Sequence, residues 1–179
     1  MKIEDLFIPE ARLIKGNIAK DIRGSFFKQY NYEEISKLGI KFNVKETLYS
    51  ISKKDVIRGM HFQRPPMSQA KIVTVIKGSI TDVLLDLRKD SKYYGKFLSI
   101  YLNERDGKSI FIPKGVAHGF LGIDMENIVF YLTDEEYSKE SEDGIRYDSF
   151  GYKWAVTNPV LSKRDFGFKE FKYFMSPFY

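Results

Sequence analysis

Short apolar runs punctuated by glycine and charged residues fill the middle of the chain, at a spacing of roughly ten residues. Ile72-Val73-Thr74-Val75-Ile76 and Ile80 to Leu87 flank Lys77-Gly78, which reads as a hairpin turn. Phe97 to Leu102 and Ser109 to Ile112 flank a second turn, Asn103-Glu104-Arg105-Asp106-Gly107. Phe42, Val44, Leu48 and Ile51 suggest one or two strands before it, Val56-Ile57 leads into another, and Asn127 to Leu132 adds one more. Many short strands with glycine turns predict an all-β sandwich or barrel. Ahead of them, Phe7-Ile8-Pro9 and Ala11 to Ile14 read as an edge strand or arm, and Asp21 to Lys28 as a turn at Gly24 followed by an aromatic strand. The one helical pattern starts at Asn31, with Glu34 three residues on as in a capping box; Ile35 and Leu38 share its inner face and Gly39 ends it. The last fourteen residues carry seven aromatics, from Phe166 to Tyr179, and such a segment must pack on the barrel or on a neighbouring subunit.

Composition narrows the class. At 179 residues, with no repeat or linker, residues 1–179 form one domain. An apolar share of 43% against 30% charged is that of an ordinary water-soluble globule, and no run is long enough to span a membrane. The N-terminal residues are unlike a signal peptide. The absence of cysteine excludes disulfides and thiolate metal sites and points to a cytoplasmic protein. The net charge of +5 comes from 29 basic residues interleaved with 24 acidic ones. Nucleic acid calls for a concentrated basic stripe, so this scatter fits a small phosphorylated ligand better.

The chemistry centres on Arg58-Gly59-Met60-His61-Phe62-Gln63, because the chain has two histidines and His61 lies between Arg58 and Lys71. A neutral imidazole near two cations suggests a base acting on an anionic or polarised substrate. From Gly107 through Pro113 and Gly115 to His118, the spacing matches the second half of the cupin barrel signature, which usually marks a metal held by three histidines and a glutamate. Here Gln63 stands where the second histidine belongs and Lys71 where the glutamate belongs. An ammonium group repels a divalent ion and offers only donors, so the expected barrel has no metal. Taken singly, Arg23 reads as a turn residue, His118 as a hydrogen-bonded core residue, Tyr131 as a packed strand residue and Asp165 as a solvated loop acid.

Taken together, the ordered motifs resemble the dTDP-4-dehydrorhamnose 3,5-epimerase family. They are Asp21-Ile22-Arg23-Gly24, Arg58 to Gln63, Gln69-Ala70-Lys71-Ile72-Val73, Asp82-Val83, Asp86-Leu87-Arg88, Ile112 to Phe120, Tyr131, Glu142 to Ile145 and Leu161 to Asp165. The resemblance implies a cupin-type β-barrel (jelly roll), a homodimer exchanging N-terminal strands, and a cofactor-independent isomerase acting on a nucleotide-linked 4-keto-6-deoxy sugar. It assigns His61 as the base, Asp165 as its carboxylate partner, Tyr131 as the acid and Lys71 as stabiliser of the enolate oxygen. It also places Arg23, Arg58, His118, Glu142 and Arg164 against the substrate. Three nucleotide-end positions depart from the family pattern: Lys28 replaces a glutamate, and Glu46 and Leu48 fall where a Gln-x-Asn pair is usual. Losing an amide at Leu48 and inverting a charge at Lys28 leaves CDP-, GDP- and UDP-linked keto sugars open beside the dTDP default. Inversion of C3, C5 or both also stays open, as does a ketoisomerase.

Overall fold

In the computed structural model, which describes residues 1–179, the chain builds two facing antiparallel sheets. The first sheet runs β1 (Lys2–Asp5), β2 (Arg12–Lys15), β10 (Lys108–Ile112), β7 (Lys71–Lys77), β12 (Glu126–Thr133), β5 (Glu46–Lys53). The second runs β13 (Glu142–Gly144), β6 (Ile57–Gln63), β11 (Val116–Gly122), β8 (Ser79–Asp86), β9 (Phe97–Asn103). Alternating inward residues make the seam: Leu13, Val73, Val75, Ile110 and Val129 from the first sheet meet Ile80, Leu84, Leu102 and Phe120 from the second. This is the expected all-β jelly-roll barrel. No helix is long and apolar enough to cross a membrane.

The hairpin expected at Lys77-Gly78 does not form. β7 and β8 belong to different sheets, so the turn is a corner between them. Val73 and Val75 on one side and Ile80 and Leu84 on the other bury each other face to face, which one shared sheet would not allow. Gly78 takes φ +76° there, and its N–H donates to the Glu104 carboxylate (2.8 Å) in the β9–β10 turn, which crosses between sheets in the same way. Phe42 and Val44 precede the strand rather than belong to it. Phe42 is buried against Phe111 and Tyr30.

α1 (Tyr32–Lys37) is capped as expected, the Asn31 side chain accepting the Glu34 N–H at 2.9 Å. Ile35 is fully buried, and with Ile14, Ile40, Phe42, Ile72, Phe111 and Leu132 it covers one part of the first sheet's outer face. The C-terminal aromatics cover the second sheet: Phe174 and Phe178 set their rings edge-on to Phe62 at 5.4 and 5.6 Å. A second short helix, α2 (Lys163–Phe166), lacked any periodic signal because it is a single turn. β3 (Asn17–Asp21) and β4 (Gly24–Lys28) form a hairpin of their own, with every residue of β3 exposed.

Candidate active site

Between the sheets lies a cavity of about 330 Å³. β6 supplies Arg58, His61, Phe62 and Gln63, and the first two reach the cavity together through an irregularity. Residues three apart on a regular strand face opposite sides. The β6–β11 register shifts between His118 and Phe120, opposite Gly59, which brings both side chains to the cavity. Gly59 has φ +135° and lies against Gly119, where a side chain would strike the neighbouring backbone.

The His61 Nε2–H donates to Asp165 Oδ1 (3.0 Å). The other Asp165 oxygen accepts the Gly59 N–H (3.2 Å), and Ser162 caps α2 by accepting the Asp165 N–H (3.0 Å). Asp165 is thus a buried carboxylate, 2% exposed, rather than a solvated loop acid. It fixes the imidazole tautomer and leaves Nδ1 as the basic nitrogen. Across the cavity, on the first sheet, stand Lys71 from β7 and Tyr131 from β12. The Tyr131 hydroxyl has one partner, Ser50 Oγ, at 3.5 Å. His118, 4% exposed, donates from Nε2 to Asp82 Oδ2 (2.8 Å) and still lines the cavity, so it is a hydrogen-bonded core residue and a wall residue together. Arg58 is braced by Ser52 Oγ (2.8 Å) and the Ile51 carbonyl (3.2 Å).

At the mouth, Arg164 Nη1 bonds Glu142 Oε1 (2.6 Å), and the Tyr137 hydroxyl donates to Glu142 Oε2 (2.9 Å). Glu46 and Leu48, from β5, complete that wall, with Glu46 accepting the Tyr137 N–H (2.8 Å). Ten of the twelve residues expected from the sequence therefore meet at one place, Asp165 standing directly behind His61. Arg23 and Lys28 do not. They sit on the β3–β4 hairpin, where the Arg23 guanidinium turns back on Asp21 (2.6 Å) and lies 86% exposed. Sequence reasoning missed Ser50, Gln63, Gln69, Thr133 and Tyr137 as lining residues. Ser50 was within reach of strand alternation, being two residues from Leu48; Tyr137 follows Asp134-Glu135-Glu136 in a loop without pattern. No three His, Asp or Glu side chains converge as metal ligands.

Burial sets the protonation states. Desolvation pulls the His61 pKa below its usual value, and the Asp165 hydrogen bond only partly opposes it. Desolvation also draws the Lys71 ammonium down to about 8, against the attraction of Glu142. The same effect drives the Tyr131 phenol upward, and the Asp82 carboxylate adds to the rise. At Asp165 burial acts to raise the pKa, but the bonds from His61 and the Gly59 N–H outweigh it and hold the group at about 2. A neutral imidazole, a protonated phenol and the Lys71 ammonium thus face a common space.

A sequence profile described as dTDP-4-dehydrorhamnose 3,5-epimerase matches residues 5–173. The chain belongs to the dTDP-4-dehydrorhamnose 3,5-epimerase family. A relative of that name from Methanothermobacter thermautotrophicus is 36% identical, over 89% of this chain and 88% of its own. One from Shigella flexneri is 34% identical over 92% of each. Among solved structures, the dTDP-6-deoxy-D-glucose-3,5-epimerase of Legionella pneumophila in complex with dTDP-4-keto-L-rhamnose superposes with a TM-score of 0.94, at 30% identity, over 99% of this chain and 98% of that one. This protein is therefore an epimerase, and its two-sheet barrel is the family's fold.

Proposed function

We propose that this epimerase inverts C3 and C5 of dTDP-4-dehydro-6-deoxyglucose without a cofactor. The observation that carries the reading is the placement of base and acid on opposite sheets of one cavity, His61 on β6 and Tyr131 on β12. The C4 carbonyl acidifies the hydrogens on C3 and C5. His61 takes one of them as a proton, and the C–H electron pair moves into the carbonyl to give an enolate oxygen. Lys71 supplies a fixed positive donor where that charge develops, a contribution typically of about 3 kcal/mol to the barrel's catalysis. Tyr131 delivers its proton to the opposite face of the carbon, and the configuration inverts.

Arg58, His118 and Arg164 suit the phosphate and sugar oxygens at the mouth. The chain acts as a homodimer in the cytoplasm, its β3–β4 hairpin reaching the partner's cavity. The exposure of Ile18, Ile22 and Phe26 on that hairpin, and the distance it keeps from its own site, support this arrangement. Incubating the enzyme with the dTDP sugar in D2O and reading the product by NMR tests the reaction. Deuterium at C3 and C5 is expected; a product free of deuterium refutes it. Sedimentation at micromolar concentration should give a dimer, and a monomer that turns over refutes the shared site.

A further inference from the structure

The chemistry above leaves one need unmet. Inverting two centres in one bound sugar uses the Tyr131 proton twice, so the phenolate must be refilled while the substrate fills the cavity. Tyr131 is 9% exposed, and the nearby Asp82 carboxylate disfavours a lasting negative charge on its oxygen. One oxygen of Asp82 is buried without a hydrogen-bond partner, so that charge is little screened. A phenolate in this position demands rapid reprotonation.

We infer that Ser50 is the relay that refills Tyr131 from solvent. Its hydroxyl is the sole hydrogen-bond partner of the phenol oxygen, and it lies on β5, the outermost strand of the first sheet. Tyr131 is interior, whereas Ser50 is half-buried on this edge strand. The serine is therefore the more exposed member of the hydrogen-bonded pair. The inward residues of β5 divide the labour: Ser52 braces Arg58, Ser50 meets Tyr131 and Glu46 holds the Tyr137 N–H. The 3.5 Å separation is long for an O–H···O bond, as is common before substrate tightens a site.

The step balances. Tyr131 loses its O–H proton to the sugar carbon, the Ser50 O–H bond breaks as a new Tyr131 O–H bond forms, and the serine oxygen takes a proton from water. The hydrogen that His61 removed returns to solvent, so nothing is consumed. Ser50 acts through Tyr131 and is a positioning and relay residue.

The inference rests on Tyr131 being the acid, and the test separates the two. Ser50→Val and Ser50→Thr have the same shape and suit an exposed strand, so they differ by the hydroxyl alone. With dTDP-4-dehydro-6-deoxyglucose in D2O, a rapid-quench first turnover reports the first proton delivery, and the steady state reports refilling. S50V should slow steady turnover by about 10²-fold, at the low end of what a proton-transferring side chain supplies, and accumulate singly deuterated sugar. Its first delivery should slow only about twofold, as for loss of one weak hydrogen bond. S50T should behave as wild type, and adding S50V to Tyr131→Phe should change nothing further. Equal slowing of both phases, a wild-type product pattern in S50V, or a further loss when S50V is added to Tyr131→Phe overturns the relay. No deuterium uptake by the wild-type enzyme would instead overturn the epimerisation on which it rests.

Discussion

Lys71 is held against its own stability, and neutralising it should strengthen the fold while disabling the enzyme. Its pKa falls from 10.5 to about 8 because burial disfavours the ammonium. At about 1.4 kcal/mol for each pH unit, that fall corresponds to about 3 kcal/mol. Cavity water screens part of the cost, since the side chain still lines the pocket, leaving about 2 kcal/mol. The sign follows from proton counting. Between pH 8 and 10.5 the unfolded chain binds the proton that the folded one has lost, so wild-type stability rises with pH across that window. Lys71→Met, similar in length and uncharged, should raise the unfolding free energy at pH 7 by about 2 kcal/mol. The gain should shrink toward zero by pH 10.5, where wild-type Lys71 is neutral when folded. Turnover should drop about 10²- to 10³-fold, as when one oxyanion-stabilising donor is removed. Urea titrations at fixed protein concentration, at both pH values, measure this directly. A variant no more stable than wild type at pH 7, or a gain that persists unchanged at high pH, would refute the reasoning.

Three further outcomes follow from the same site. Asp165→Asn should cut kcat by about 10²- to 10⁴-fold with little change in dTDP affinity, because the carboxylate acts on His61 and not on the ligand; calorimetry and steady-state kinetics together check the split. The pH profile of kcat/KM should fall on the alkaline side near 8, as Lys71 loses its proton, and on the acid side below the ordinary histidine range, as His61 gains one. A flat profile to pH 10 would count against the lysine. Leu48→Asn should tighten dTDP about tenfold in a titration against dTDP, CDP, GDP and UDP by restoring polar partners to the mouth, and an unchanged preference would remove Leu48 from the nucleotide end.

Of the candidate site, His61 and Lys71 were legible from motif spacing on their strands, Tyr131 and Asp165 only through the family resemblance, and the barrel because apolar runs and glycines mark each strand. What escaped notice escaped for physical reasons. Strand propensity is local, so Lys77-Gly78 reads alike whether it closes a hairpin or turns a corner between sheets; only the facing cores of β7 and β8 distinguish the two. α2 is one turn held by Ser162 and by burial of Asp165, too short for periodicity to register. Arg23 and Lys28 carry motif spacing but not position, since a hairpin that leaves its own barrel cannot be placed from one chain's pattern.

One physical effect prepares the three central groups, and it does not serve them equally. Drying the cavity favours the neutral form of His61, Tyr131 and Lys71 alike. For the proposed base and the proposed acid that is the form the reaction needs: an imidazole free to take a proton and a phenol that still holds one. For Lys71 it is the wrong form under the proposed mechanism, in which the ammonium faces the enolate oxygen. Glu142 is the group whose charge opposes the loss, and it is shared with Arg164 and Tyr137 at the mouth. A deeper cavity would sharpen His61 and Tyr131 while discharging Lys71. In the proposed mechanism, the carboxylate at the mouth therefore sets how dry this site can become before Lys71 loses the charge that would face the enolate oxygen.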